Sequence, residues 1–103
     1  MIKCVVLYNF PPDQDAFEDH YFGVHLPLSS KLPGLRRREF AKLITGPGAQ
    51  APLYYRIAEL YFDDRLSMER AFASEEGRTA LADRDQFARS GVTVLWAEVD
   101  DAS

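Results

Sequence analysis

The sequence predicts an α+β domain in which strands and helices follow the order β-α-β-β-α-β. Four short stretches are rich in β-branched and aromatic residues, and the regions after the first and third of them have apolar residues at helical spacing. The chain has 103 residues, of which 47% are apolar and 27% charged, which is enough for one folded core and too little for two. This order predicts a four-stranded antiparallel sheet with both helices on one face.

The first predicted elements are a buried strand and a helix. Residues 2–8 are almost continuously apolar, which is typical of a central strand that is covered on both faces. Asp13 or Asp15 is expected to cap the helix that follows. Its apolar stripe is expected to consist of Phe17, Tyr21, Val24, Leu28 and Leu32. Pro27 predicts a kink or a new helical turn near His25.

The remaining elements are three strands and a second helical region. Residues 35–43 contain three successive arginines, which favours an edge strand. Residues 53–62 and 92–99 are apolar and aromatic and predict the third and fourth strands. Between them, Asp63-Asp64 is expected to cap a helix, and Ser74-Glu75-Glu76 is expected to restart a helix after a break near Gly77.

The strand patterns also predict a homodimer. In the first, third and fourth strands, both alternating sets of residues are largely apolar. In the first strand, for example, Cys4 and Val6 alternate with Val5 and Leu7. Two helices cover only one face of the sheet, so the other face needs a partner, and the simplest partner is a second copy of the chain.

Charge and composition argue against nucleic acids and membranes as partners. The net charge is −4 and the pI is about 5.1. The third predicted strand, LYYRIAELYF, lacks the glycine and the aromatic pattern by which RNA-recognition domains of this topology stack bases. No stretch approaches the roughly 20 apolar residues of a membrane span. A single cysteine, Cys4, and the lack of a signal-peptide pattern in the first residues predict a cytoplasmic location.

Four segments together resemble the EthD family, which is named for a protein linked to degradation of ethyl tert-butyl ether. They are AFEDHYFGVHLPLSSKLPGLRR, APLYYRIAELYF, SEEG and GVTVLWAE. The resemblance covers nearly the whole chain and implies one domain over residues 1–103, with a ferredoxin-like fold that pairs into a dimeric α+β barrel. It also implies that some relatives have no assigned activity, and that others isomerise, cyclise or oxygenate small organic rings without a cofactor.

The two histidines are the candidates for proton transfer, since imidazole titrates near neutral pH. On a helical wheel His25 lies roughly 50° from the centre of the apolar stripe, and His20 roughly 90° away on the other side. From the residues, His25 is either a core histidine bonded to a carbonyl freed by Pro27 or a catalytic acid or base. The resemblance favours the catalytic role, because relatives direct the histidine of the H-x-P segment into a pocket between helix and sheet.

His20 is a secondary candidate for substrate binding, or else a solvated residue at the border of the helix. Its distance of five residues from His25 does not match the i, i+4 pair that shares a metal. We therefore expect no metal and no cofactor. Haem binding is supported only by an analogy of fold, and it is the least favoured of the functional hypotheses.

Five further residues are candidates for the wall of a substrate pocket. Tyr21 belongs first to the helix stripe. Tyr55 faces either the helices or the dimer partner, and Trp96 lines a cavity or an interface. Arg56 binds a substrate carboxylate or pairs across the dimer, and Glu59 orients an imidazole or pairs with Arg37.

These observations leave two hypotheses about function. The first is a cofactor-independent enzyme of the isomerase, cyclase or oxygenase type, which acts on a small apolar or aromatic substrate with His25 as proton carrier. The alternative is a non-catalytic ligand-binding or accessory protein of a degradation pathway, in which His25 only orients the ligand.

Overall fold

The computed structural model describes residues 1–100. Within them, four strands and four α-helices follow in the order β1 (Ile2–Tyr8), α1 (Gln14–His20), α2 (Leu26–Ser29), β2 (Arg37–Lys42), β3 (Arg56–Phe62), α3 (Arg65–Ala73), α4 (Glu75–Phe87) and β4 (Val92–Glu98). A π-helical turn, Tyr21–His25, joins α1 to α2, and a short 3-10 turn, Pro47–Ala49, lies in the loop between β2 and β3. None of these helices is long and apolar enough to cross a bilayer.

The strands form one antiparallel sheet in the order β2-β3-β1-β4. The predicted ferredoxin-like βαββαβ arrangement is therefore confirmed. The apolar strands β1 and β3 occupy the centre, and the arginine-rich β2 lies at an edge, as its charges predict. β3 is shorter than predicted, because residues 53–55 bend before the strand begins at Arg56.

The helices cover one face of the sheet and leave the other open. On the covered face, Cys4, Val6 and Tyr8 of β1 lie beside residues of β3 in a buried core. The open face is made of the alternate residues of the same strands. It includes Val5, Leu7, Ile57 and Leu95, which are half-buried or exposed. The described chain thus leaves the second apolar face uncovered, as the strand patterns predict.

The π-helical turn changes which residues of the first helical region face the sheet. In this turn the Leu26 N–H donates to the Tyr21 carbonyl, which adds one residue to the turn. As a result His25 is buried and Val24 is 42% exposed, so the predicted position of Val24 in the apolar stripe is wrong. The observed buried side consists of Phe17, Tyr21, His25, Ser29 and Leu32. The predicted new turn near Pro27 is correct, since α2 begins at Leu26.

α4 starts at Ser74-Glu75, as predicted, but the break that precedes it lies at Ser74 and not near Gly77. The Ser74 hydroxyl accepts a hydrogen bond from the Gly77 N–H and so caps α4. Gly77 lies in the first turn of α4, where a Cβ atom would be only 2.2 Å from the Ala71 carbonyl oxygen. The absence of a side chain there allows α4 to pack directly on the end of α3.

Candidate functional site

His25 lies at the centre of the helix face that packs on the sheet. It ends the π-helical turn and is only 8% exposed. Its ring stacks on Tyr21, with centroids 6.0 Å apart, and contacts Phe87 of α4 at 4.8 Å. The extra residue of the π-helical turn therefore places the imidazole deeper than the helical wheel predicts.

Asp83 of α4 connects the two histidines. Its Oδ2 lies 3.0 Å from His25 Nδ1, and its Oδ1 lies 2.7 Å from His20 Nε2. An ionised carboxylate only accepts hydrogen bonds, so both ring nitrogens donate to it. This arrangement favours the His25 tautomer that carries its proton on Nδ1. Nε2 is then left with a lone pair and has no hydrogen-bond partner within residues 1–100.

Burial lowers the pKa of His25 below its ordinary value of 6.5. Asp83 acts in the opposite direction, since its negative charge favours the imidazolium, but desolvation is the larger effect. Arg84 adds to the lowering through its positive charge. The neutral imidazole is therefore the form present at neutral pH, and it is the form that accepts a proton.

A cavity between the helices and the sheet has His25 in its wall. Its volume is about 30 Å³, which is comparable to one water molecule in the liquid. The wall is mainly apolar and aromatic, with Tyr8, Tyr21, Phe40 and Phe72 among its side chains. Such surroundings exclude water and strengthen electrostatic interactions with a bound molecule.

Two of the other predicted site residues lie close to His25, in different positions. Tyr21 is fully buried in the cavity wall. The His20 side chain is 34% exposed and stacks on Phe87 at 5.0 Å. It lines a separate surface cleft of about 450 Å³, beside Pro11 and Pro12. His20 thus contacts solvent at the opposite end of the Asp83 carboxylate from His25.

Arg56 and Tyr55 lie outside the wall of the His25 cavity. Arg56 is 8% exposed and makes a two-pronged ion pair with Glu18 of α1, with N–O distances of 2.8 and 2.5 Å. Glu18 of the same chain therefore satisfies the charge of Arg56. Both predicted roles, binding a substrate carboxylate and pairing across the dimer, had assigned this charge a partner outside the chain. Tyr55 is 1% exposed and packs against Phe17, so it faces the helices and not the open face.

Glu59 and Trp96 are also separated from His25. Glu59 lies on the open face and pairs with Lys3 at 2.8 Å, so it is on the wrong side of the sheet to orient the imidazole. Arg37, its predicted alternative partner, pairs with Glu39 instead. Trp96 lies beside Cys4 on β4, is 38% exposed, and has the Arg65 guanidinium 4.9 Å from its ring.

Asp83 and Arg84 are site residues that the sequence analysis missed. Asp83 lies three residues after the buried Ala80 and four before Phe87, so it lies on the same stripe of α4. An acidic residue on an otherwise apolar stripe of α4 is the sequence feature that could have identified Asp83. Its partners lie 58 and 63 residues away, which no local pattern reveals.

Comparisons with known proteins identify the family. The model of the EthD domain matches residues 11–91. An uncharacterised 11.0 kDa protein of Rhodococcus erythropolis, encoded in the thcB-thcC intergenic region, is 38% identical over 98 residues, which are 95% of this chain and 94% of that protein.

Two solved structures resemble this chain, one in sequence and fold and the other in fold alone. A crystal structure of an EthD family protein from Bacillus halodurans C-125 matches with a TM-score of 0.90 and 35% identity over 97% of this chain and 99% of that one. A dimeric protein of unknown function from Bacteroides fragilis, described as having a ferredoxin-like fold, matches with a TM-score of 0.68 and 14% identity over 95% of both chains, and shares the fold alone. This chain belongs to the EthD family.

Proposed function

We propose that the protein is a cofactor-independent enzyme of the isomerase, cyclase or oxygenase type that moves a proton on a small apolar or aromatic substrate, with His25 as the proton carrier. One observation carries the proposal. Asp83 accepts the Nδ1–H of His25 in the wall of an apolar cavity, which leaves Nε2 available to a bound molecule. A cytoplasmic location, suggested by the single cysteine, remains a prediction beside it.

The chemistry follows from this geometry. A neutral imidazole whose pKa is lowered by burial accepts a proton from a carbon next to a carbonyl group. The imidazolium that forms is then stabilised by the Asp83 carboxylate, which already holds Nδ1–H. The same imidazolium returns the proton to another atom of the substrate. The cavity wall keeps water away from the intermediate carbanion or enolate.

Substrate binding requires the cavity to widen. Ligand pockets are typically about 300–1,000 Å³, whereas the cavity measures about 30 Å³. Part of its wall consists of half-buried side chains, including Leu26, Phe72 and Leu81. Rotation of these side chains widens the cavity without moving the buried sheet residues beneath it, and we propose it as the route by which a substrate enters.

Replacement of Asp83 by asparagine tests the observation that carries the proposal. An amide at position 83 also donates hydrogen bonds, so the His25 Nδ1–H tautomer loses its preference, and we expect proton transfer to slow roughly 10–100-fold. The rate is measured by NMR as the exchange of acidic C–H protons of small ketones and lactones in D₂O. Asp85→Asn removes the same charge from an exposed site on α4 and is expected to leave the rate unchanged. An unchanged rate in Asp83→Asn contradicts the proposed role of Asp83.

We also propose that two copies pair through the open face of the sheet. Val5, Leu7, Ile57 and Leu95 place apolar surface there that the described helices do not cover. The fold neighbour from Bacteroides fragilis is described as dimeric, which is consistent with this pairing. Lys3 and Glu59 lie on the same face and satisfy each other within one chain, so they place no unpaired charge at the interface.

Two lysine substitutions on β4 test the dimer. Leu95→Lys places a charge on the open face and is expected to raise the dimer dissociation constant at least tenfold, because burying an unpaired ammonium costs several kcal/mol. Val94→Lys makes the same change on the other face of the strand, where Val94 is 41% exposed, and should leave the dimer intact. Sedimentation velocity measures both. A monomeric wild type, or equal effects of the two variants, contradicts the proposed interface.

A further inference from the structure

Two polar groups in the wall of the His25 cavity have no hydrogen-bond partner within residues 1–100. They are the Nε–H of Arg84 and the hydroxyl of Tyr21, and both atoms are buried. Among the described residues, the Tyr55 hydroxyl is a third buried side-chain atom without a partner, and it lies outside the cavity wall. Buried donors are satisfied in most folded proteins, so two unsatisfied donors around one cavity suggest that its ligand supplies the acceptor.

The charge distribution around the cavity indicates what kind of acceptor fits. Asp83 is already shared by the two histidines, and Arg84 makes no ion pair with a carboxylate within the described residues. Burial raises the pKa values of Cys4 and Tyr8 and lowers the pKa of His25. The positive charge of Arg84 opposes the first two shifts and adds to the third, so it acts on three groups of the cavity wall. A negatively charged oxygen is therefore the atom that these surroundings favour.

We propose that Arg84 and Tyr21 bind an oxygen of the substrate that becomes negatively charged while His25 removes a proton. This inference rests on the proposed function and deepens it, because it names the substrate class: a small carbonyl compound with an acidic C–H bond next to the carbonyl. Arg84 and Tyr21 act as the donors that stabilise the enolate oxygen.

The step balances without a further reactant. The C–H bond breaks and its proton moves to Nε2 of His25. The electron pair of that bond forms a C=C bond, and the carbonyl π pair moves to oxygen, which accepts hydrogen bonds from Arg84 and Tyr21. Return of the same proton to a different atom gives an isomer of the substrate, so no oxidant or reductant is consumed.

Formate is a suitable first probe of anion binding by Arg84 and Tyr21. Formate has three heavy atoms and a delocalised negative charge on oxygen, so it requires less widening of the cavity of about 30 Å³ than a larger carbonyl compound does. Formamide has nearly the same shape and no net charge, so it serves as the matched control ligand. The Nε–H of arginine gives a resolved signal in ¹⁵N-edited NMR spectra, and this signal reports directly on hydrogen bonding at Arg84.

In the wild-type protein, formate is expected to shift the Arg84 Nε–H signal saturably and to raise the pKa of His25, whereas formamide does neither. Arg84→Met is expected to weaken formate binding roughly tenfold or more, and Tyr21→Phe less, because only one neutral donor is lost. Arg84→Lys, which keeps the charge without the Nε–H, covers the case in which the methionine variant does not fold. Arg89→Met, at the exposed end of the same helical region, should bind formate like the wild type.

The outcomes separate this inference from the proposed function. His25→Gln is expected to lose proton exchange and keep formate binding. If formate binds at Arg84 but the wild-type protein exchanges no proton of any carbonyl compound, the result supports anion binding by Arg84 and Tyr21 and contradicts the proposed enzymatic function. If the Arg84 variants catalyse exchange at the wild-type rate, or if formate shifts exposed arginines as strongly as Arg84, the inference is overturned and formate is an adventitious ion only.

Discussion

Replacement of His25 by glutamine is expected to slow the proton exchange catalysed by the protein roughly 10²–10⁴-fold, which is the contribution of a well-placed general base. Glutamine has a similar length and a donor that reaches Asp83, so the cavity wall stays filled. Its amide does not accept a proton at neutral pH. The effect should therefore fall on kcat, with little change in the affinity for ligands.

His20→Gln is the matched control for this experiment. It makes the same chemical change at the other end of the Asp83 carboxylate, at a histidine that lines a different cleft. We expect only a few-fold loss, because His25 keeps its own hydrogen bond to Asp83. Equal losses in the two variants would show that His25 has no special role. If wild type and His25→Gln bind ligands equally and neither exchanges protons, the accessory-protein hypothesis replaces the enzyme.

Gly77→Ala is expected to destabilise the protein by about 2–3 kcal/mol, as overpacking of a close contact does. Alanine in a helix normally stabilises by roughly 1 kcal/mol relative to glycine, so the predicted sign is the reverse of the usual one. The added Cβ would be 2.2 Å from the Ala71 carbonyl oxygen and 2.7 Å from Phe72 Cα. These are backbone atoms, so α3 and α4 must separate to make room.

Gly23→Ala supplies the control, because a Cβ atom at Gly23 would have no heavy atom within 4 Å. We expect it to be neutral or stabilising by up to about 1 kcal/mol. The free energy of unfolding of both variants is measured by urea titration at one protein concentration, since dimerisation also contributes to stability. A Gly77→Ala variant as stable as the wild type would show that the contact between α3 and α4 is not tight.

The order of the elements and the sheet topology could be predicted from the sequence because they depend on local periodicity. β-branched runs marked the strands, and the paired aspartates and Pro27 marked helix boundaries. Arginines placed β2 at an edge, and the apolar residues on both faces of β1 predicted the uncovered face. Each of these signals lies within one element, where spacing and residue type carry the information.

The site was only partly predictable, since it depends on contacts between distant elements. His25, the histidine that the sequence singles out, does line the cavity wall. A regular helical wheel does not anticipate a π-helical turn, however, so Val24 was assigned the buried place that His25 takes. Asp83 approaches His25 only when α4 packs beside the π-helical turn. For the same reason, the pairing of Arg56 with Glu18, 38 residues away, was not foreseen.

The ¹⁵N NMR titration of the His25 imidazole tests the central claim most directly, since it reports both the tautomer and the pKa. We expect a neutral ring protonated on Nδ1, a pKa below 6.5, and a further fall of that pKa in Asp83→Asn, where the stabilising negative charge is lost. A ring protonated mainly on Nε2, with an ordinary pKa that does not respond to Asp83→Asn, would contradict the account.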